Sequence, residues 1–146
     1  MDTNFVLEIP NDLRAIERAV ELVVRRCQHC ERNARRFRLN FRVALTEALS
    51  NAMLYGNGSD PEKRVRVDVT IDDMRVSARV TDEGVGFDPG LVEDPTTPEN
   101  LERTGGRGLF LMRKLLDDVR YNDQGNSVTL TLRLDEATSF DGVASA

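Results

Sequence analysis

Glu47 and Asn51 stand four residues apart in the run Thr46-Glu47-Ala48-Leu49-Ser50-Asn51-Ala52. In a helix this spacing sets both side chains on one face, about 40° apart around the axis. Phe41, Leu45, Leu49 and Ala52 gather on the other side, and Asn40 falls on the polar front. A carboxylate there can take a proton, and a carboxamide oxygen can be one hard ligand for Mg²⁺, which needs few protein groups and keeps its waters. A solvated helix face would have the same composition. Two later stretches separate the readings. Asp82-Glu83-Gly84-Val85-Gly86 follows a predicted strand, and an aspartate at a strand end suits an exocyclic amine such as that of adenine. Gly105-Gly106-Arg107-Gly108 opens a predicted helix, where glycines allow close backbone approach and free N–H groups favour phosphate. Each feature alone is a turn, a cap or a wet surface. The three in this order describe a nucleotide site, although no Walker-type or Rossmann glycine motif occurs.

The rest of the chain has to position these groups. Phe5-Val6-Leu7-Glu8-Ile9 reads as a short strand at the sheet margin, stopped by Pro10, with Asn11 or Asp12 capping the next helix. Leu13, Ile16, Val20, Val23 or Val24, and Cys27 repeat at helical spacing and make a packing helix. A second helix, carrying Glu47 and Asn51, runs over about 37–55 and ends at Gly56-Asn57-Gly58-Ser59-Asp60-Pro61. Val65, Val67, Val69 and Ile71, then Met74, Val76, Ala78 and Val80, alternate with polar residues around Asp72-Asp73, which predicts an antiparallel hairpin with one wet face. Residues 83–107 break the rhythm and read as a functional lid or a disordered loop. A third helix begins at Gly108, and a last hairpin turns at residues 122–126. Strands apolar on one face, with three helices to cover it, give a two-layer α/β (α+β) sandwich over 1–134 and a loose tail over 135–146.

The totals restrict the partners. A chain of 146 residues with 40% hydrophobic and 31% charged residues is one globular domain, with no apolar run of membrane-spanning length. The N-terminus lacks the basic and apolar regions of a secretory signal, so the expected location is cytoplasmic. A net charge of −5 argues against direct nucleic-acid binding. Arg25, Arg26, Arg32, Arg35, Arg36 and Arg38 form a local exception, read as a solvated surface or a patch for an acidic protein partner. Cys27 and Cys30 flank His29, but no second ligand pair exists and the motif lies at a helix end, so two reduced thiols are expected rather than a zinc or redox site.

EALSNAMLYGN, TDEGVGFDP and GGRGLFLMRKLLDDV resemble the N, G1 and G2 boxes of the GHKL ATPase superfamily, which includes gyrase, MutL and histidine kinases. The spacing covers about residues 37–134. Within that superfamily the chain looks most like the small anti-sigma factor serine/threonine kinases, stand-alone bacterial domains that bind a sigma factor and phosphorylate an anti-anti-sigma (STAS-type) protein. The choice rests on Glu47. Histidine kinases typically carry asparagine there, whereas a serine or threonine hydroxyl has a high pKa and benefits from a carboxylate that takes its proton. His29 only faintly echoes a histidine-kinase acceptor motif and has no helical hairpin before it.

The resemblance implies the Bergerat fold, with a mixed, mostly antiparallel sheet and three helices on one face, and the cofactors ATP and Mg²⁺. It implies that Asn51 binds Mg²⁺, Glu47 is the base and Asp82 recognises adenine. Gly84 and Gly86 would shape the adenine pocket. Gly106 and Gly108 would meet the phosphates, Gly105 and Leu109 would join the cofactor contacts, and Arg103 and Arg107 could steady the γ-phosphate. Ser127 would join the adenine water network, as a threonine often does in relatives. Relatives also suggest a homodimer. One departure stands out: they often carry a basic residue near position 55, where Tyr55 removes a possible phosphate contact. The alternatives are a non-catalytic, ATP-sensitive switch that sequesters a partner, a histidine-kinase-like ATP-binding domain, or simple ATP hydrolysis.

Overall fold

The computed structural model describes residues 3–27, 34–85 and 106–134. The alternating segments form five strands, β1 (Thr3–Pro10), β2 (Arg64–Ile71), β3 (Arg75–Thr81), β4 (Asp118–Tyr121) and β5 (Ser127–Arg133). They make one sheet in the order β1-β2-β3-β5-β4, so β1 is at the margin as its sequence predicts. The mostly antiparallel sheet expected from the family is wholly antiparallel among the described residues. The excursion between β3 and β5 returns the chain beside β3 running the opposite way.

Every second residue of β2, β3 and β5 is buried, from Val65 and Val67 through Val76 and Ala78 to Leu130 and Leu132. These side chains join those of the helices in one hydrophobic core. Each such valine or leucine removed from water stabilises the fold by about 1.5–3 kcal/mol before chain entropy is counted. The alternate positions Arg66, Arg75 and Arg79 are exposed, which is the wet face the alternation requires.

Three helices cover the apolar face. A 3₁₀ turn over Leu13–Ala15 is capped by Asp12, whose Oδ1 accepts from the Arg14 N–H at 2.9 Å, and leads into α1 (Ile16–Arg26). Helix α2 runs unbroken over 34–56, three residues longer than expected at its start. Its α-helical stretches Ala34–Arg36 and Arg42–Asn51 alternate with wider π-helical turns at Phe37–Phe41 and Ala52–Gly56. The wide turn after Asn51 closes where the Asn57 N–H reaches back five residues to the Ala52 carbonyl at 2.7 Å. Left-handed Gly58 and Ser59 (φ 61° and 60°) then turn the chain toward β2.

Helix α3 (Gly106–Leu115) lies antiparallel to α2. Asn40, near the start of α2, donates from Nδ2 to the Leu115 carbonyl at 3.0 Å, at the far end of α3. Arg36 grips the Asp117 carboxylate with both terminal nitrogens, at 3.2 and 3.1 Å. Asn40, read as part of the polar front, thus serves the helix seam. These contacts fix the opposite ends of the two helices, the end of α2 and the start of α3, beside each other.

Candidate functional site

Glu47 and Asn51 face the N-terminus of α3. A methyl group placed on Gly108 would sit 2.6 Å from Glu47 Oε2 and 2.9 Å from Asn51 Nδ2. Gly108 is therefore glycine for close approach: its missing side chain leaves room for the two polar groups of α2. The first four N–H groups of a helix, here those of Gly106, Arg107, Gly108 and Leu109, have no intrahelical acceptor, and the dipole adds partial positive charge. Asn51 Nδ2 is buried with no hydrogen-bond partner among the described residues. Such an orphaned amide is costly unless a ligand or ordered water completes it. Rotating the carboxamide by 180° would present its oxygen at the same place. A hard oxygen from Asn51, beside a carboxylate and free helix N–H groups, fits Mg²⁺ and a phosphate chain.

The second cluster is one helical turn further along α2. Gly56 ends the wide π-turn against the Asp82 carboxylate, and Gly84 lies directly against the Gly56 carbonyl, so a side chain on either would collide. Asp82 follows β3, whose Val76, Ala78 and Val80 face the helices, and alternation turns Asp82 to that same side. Its N–H donates to the Asn126 carbonyl at 2.9 Å, and its Oδ1 accepts from the Gly84 N–H at 2.8 Å. Burial raises the Asp82 carboxyl above the ordinary aspartate range, while the Gly84 hydrogen bond and the positive charge of Lys63 pull the other way.

The structure brings together Glu47, Asn51 and Gly108 at one end, and Asp82 and Gly84 at the other. Leu109 is buried in the core, which leaves only its main chain for a ligand. Ser127 is set apart. It pairs with Thr81 across the β3–β5 ladder, their hydroxyl oxygens 3.0 Å apart, on the face of the sheet turned away from the helices. There it lines a shallow depression with Arg79, Arg120 and Thr129. The expectation that Ser127 joins Asp82 at adenine meets this obstacle of strand parity. Gly86, Arg103 and Gly105, most of the lid over 83–107, His29 and Cys30, and the tail 135–146 lie outside the described residues, as does the side chain of Arg107. Cys27 is buried in the core, as a structural thiol would be. Among the described residues no group of three or more His, Cys, Asp or Glu side chains could hold a metal ion.

Tyr121 was not foreseen. It packs against the core at the end of β4, and its hydroxyl pKa is pushed up to about 12, first by burial and then by the negative charges of Asp82 and Glu47, with Arg113 opposing. The ring therefore lies within the electrostatic reach of both ends of the site. A four-residue strand gives too short a pattern to show which way its tyrosine points.

The sequence resembles those of known proteins. Residues 9–132 match the model of the histidine kinase-like ATPase domain. The serine-protein kinase RsbW of Listeria monocytogenes serotype 4a is 32% identical over 104 residues, covering 66% of this chain and 66% of that protein. The chain thus spans just under two thirds of the length of that relative. The anti-sigma F factor of Bacillus licheniformis is 32% identical over 106 residues, covering 68% of this chain and 71% of the relative. That of Geobacillus stearothermophilus is 36% identical over 92 residues, 60% and 62% of the two chains. Among the described residues no helix is long and apolar enough to cross a membrane. The chain belongs to the histidine kinase-like ATPase domain family.

Proposed function

We propose that the protein is a cytoplasmic, ATP-dependent serine/threonine kinase and anti-sigma factor, which binds a sigma factor and phosphorylates an anti-anti-sigma (STAS-type) partner. The observation that carries this reading is the convergence of Glu47 and Asn51 on Gly108 at the start of α3. It puts a candidate proton acceptor beside a candidate phosphate site, and the names of the relatives supply the class of acceptor.

In this reading Asp82 accepts from the adenine amino group, and Gly84 lets the base lie close to the main chain. The N–H groups of Gly106, Gly108 and Leu109 face the phosphates. Asn51 would hold Mg²⁺, which when bound neutralises charge on the phosphate oxygens. Glu47 takes the proton of the acceptor hydroxyl as it attacks in line, and so spares the site a free alkoxide. Gly86, Gly105, Arg103 and Arg107 complete the nucleotide contacts, and the protein works as a homodimer.

Labelled ATP incubated with the protein and purified STAS-domain proteins of the source organism tests the reading. Glu47→Ala is expected to keep ATP affinity within about twofold and to lower phosphotransfer by about 10²–10⁴-fold, the usual contribution of a positioned general base. Retained transfer in that variant rules out Glu47 as the base. Tyr55, which is 52% exposed and leaves the site without a basic side chain at that position, favours one alternative, a nucleotide-sensitive switch. ATP-dependent partner binding without any label transfer would establish the switch in place of the kinase.

A further inference from the structure

Asn57 closes α2, and its carboxamide is 2% exposed, one of two buried polar side chains among the described residues. Its three side-chain hydrogen bonds reach three separate segments. Nδ2 donates to Asn11 Oδ1 before α1 at 3.1 Å and to the Arg64 carbonyl at the start of β2 at 3.1 Å. Oδ1 accepts from the Glu83 N–H at 2.7 Å. The first two bonds join pieces of scaffold. The third enters the site, because Glu83 lies between Asp82 and Gly84, whose own N–H is tied to the Asp82 carboxylate.

We infer that Asn57 is a positioning residue for nucleotide, setting the span between the Asp82–Gly84 turn at the purine end and the Glu47–Asn51 face at the phosphate end; this rests on the nucleotide site proposed above. The connection is continuous. The Asn57 N–H holds the Ala52 carbonyl, next to Asn51, and its Oδ1 holds the peptide next to Asp82. The position calls for one acceptor and two donors in a dry place, which a carboxamide offers and a carboxylate or hydroxyl does not. When the Glu83 bond is lost, the turn is free to shift against the Gly56 carbonyl. Asp82 then no longer meets adenine while the phosphates rest on α3. A ligand that uses only the phosphate end is indifferent to that shift.

The test compares binding of Mg²⁺-ATP and Mg²⁺-tripolyphosphate to the full chain by calorimetry, with melting temperatures in parallel. Asn57→Ala is expected to weaken ATP by about tenfold or more, the scale of one well-made buried hydrogen bond, and to leave tripolyphosphate within about twofold. Asn57→Asp gives up both donations but keeps an acceptor for the Glu83 N–H, so it should melt lower yet hold ATP within about threefold. Asn11→Ala removes one of the two scaffold bonds of Asn57, together with the donations of Asn11 Nδ2 to the Asp60 and Met53 carbonyls, and keeps the Glu83 bond; it should lower the melting temperature and leave the ratio of the two affinities unchanged. Equal weakening of both ligands in Asn57→Ala, or a ratio that moves as far in Asn11→Ala, makes Asn57 a clip for the fold and overturns the inference. Should Asn57→Ala not fold, Asn57→Asp decides: ATP held within threefold despite a lower melting temperature supports positioning, and a tenfold loss overturns it. A parent chain that binds tripolyphosphate but not ATP overturns the purine site and Asn57's role with it. Parent binding of ATP with no effect at Asn57 overturns the positioning role alone.

Discussion

At the proposed purine end of the site Gly84 abuts a main-chain carbonyl, and Gly56 abuts a carboxylate whose own peptide is tied to Asn126, just before β5. At the phosphate end Gly108 abuts the tips of Glu47 and Asn51, and Asn51 Nδ2 has no partner among the described residues. An added methyl group thus meets backbone at Gly84 and side chains at Gly56 and Gly108, and of these side chains the Asp82 carboxylate is held by the Gly84 N–H. Fixed backbone recognises a rigid base with no reorganisation on binding. Side chains that can swing suit the end where metal, phosphate and an incoming hydroxyl must each find partners in turn. The two halves of the proposed site are fastened by different kinds of contact.

Gly108→Ala tests the yielding half and should give the largest effect. Glu47 Oε2 and Asn51 Nδ2 can retreat from the new methyl group, so the melting temperature should stay within a few degrees. Their retreat misplaces both groups, and phosphotransfer should fall by about 10²-fold or more. Activity within a few-fold of the parent would show that the contact with Gly108 does not set the position of Glu47. Gly84→Ala tests the rigid half. Here the obstacle is the Gly56 carbonyl, which cannot rotate away, and urea unfolding should show a loss of about 1–3 kcal/mol along with weaker ATP binding. A stability change below that range would mean that the purine end yields as well.

The same contrast explains what could be read before the fold was seen. The strands were legible because Val65 to Ile71 and Val76 to Val80 keep a strict period of two, which also fixes the side to which Asp82 turns. Glu47, Asn51 and Gly108 were legible as a cluster because a carboxylate, a carboxamide and a glycine-rich helix start in that order suggest one candidate site, and the fold does bring them together. Asn57 was hidden. In Gly-Asn-Gly-Ser it reads as turn punctuation, and its partners Asn11, Arg64 and Glu83 come from segments that only the fold assembles. Ser127 marks the opposite limit. It stands beside Asp82 along the β3–β5 ladder but on the other face, and that depends on the pairing register as well as on local pattern.

A smaller effect belongs to the seam that holds the two helices of the phosphate end together. Asn40→Ala removes the hydrogen bond to the Leu115 carbonyl, and stability should drop by about 1 kcal/mol. Affinity for adenosine alone should not change, since the Asp82 end is fastened independently of this seam. A coupled loss of adenosine binding would show that the two halves are one mechanical unit.

The smallest effect tests whether the purine end is made for the fold or for a ligand. Burial raises the Asp82 pKa, so the folded protein holds that proton more tightly than the unfolded chain does. Between the ordinary aspartate pKa and the raised one the folded state binds more protons, and stability falls as pH rises through that window. The contribution is fully present below the ordinary value and lost above the raised one. Asp82→Asn keeps an acceptor for the Gly84 N–H and has no titration. It is therefore expected to melt slightly above the parent at neutral pH, with the difference shrinking to nothing as the pH is lowered through the carboxylate range, while ATP binding weakens at every pH where the parent carboxylate is ionised. A turn that holds a charge disfavoured by burial is the arrangement expected where a ligand outside the chain uses that charge. If the parent is instead the more stable at neutral pH, the Gly84 and Lys63 interactions outweigh burial, and Asp82 is held there by the fold itself.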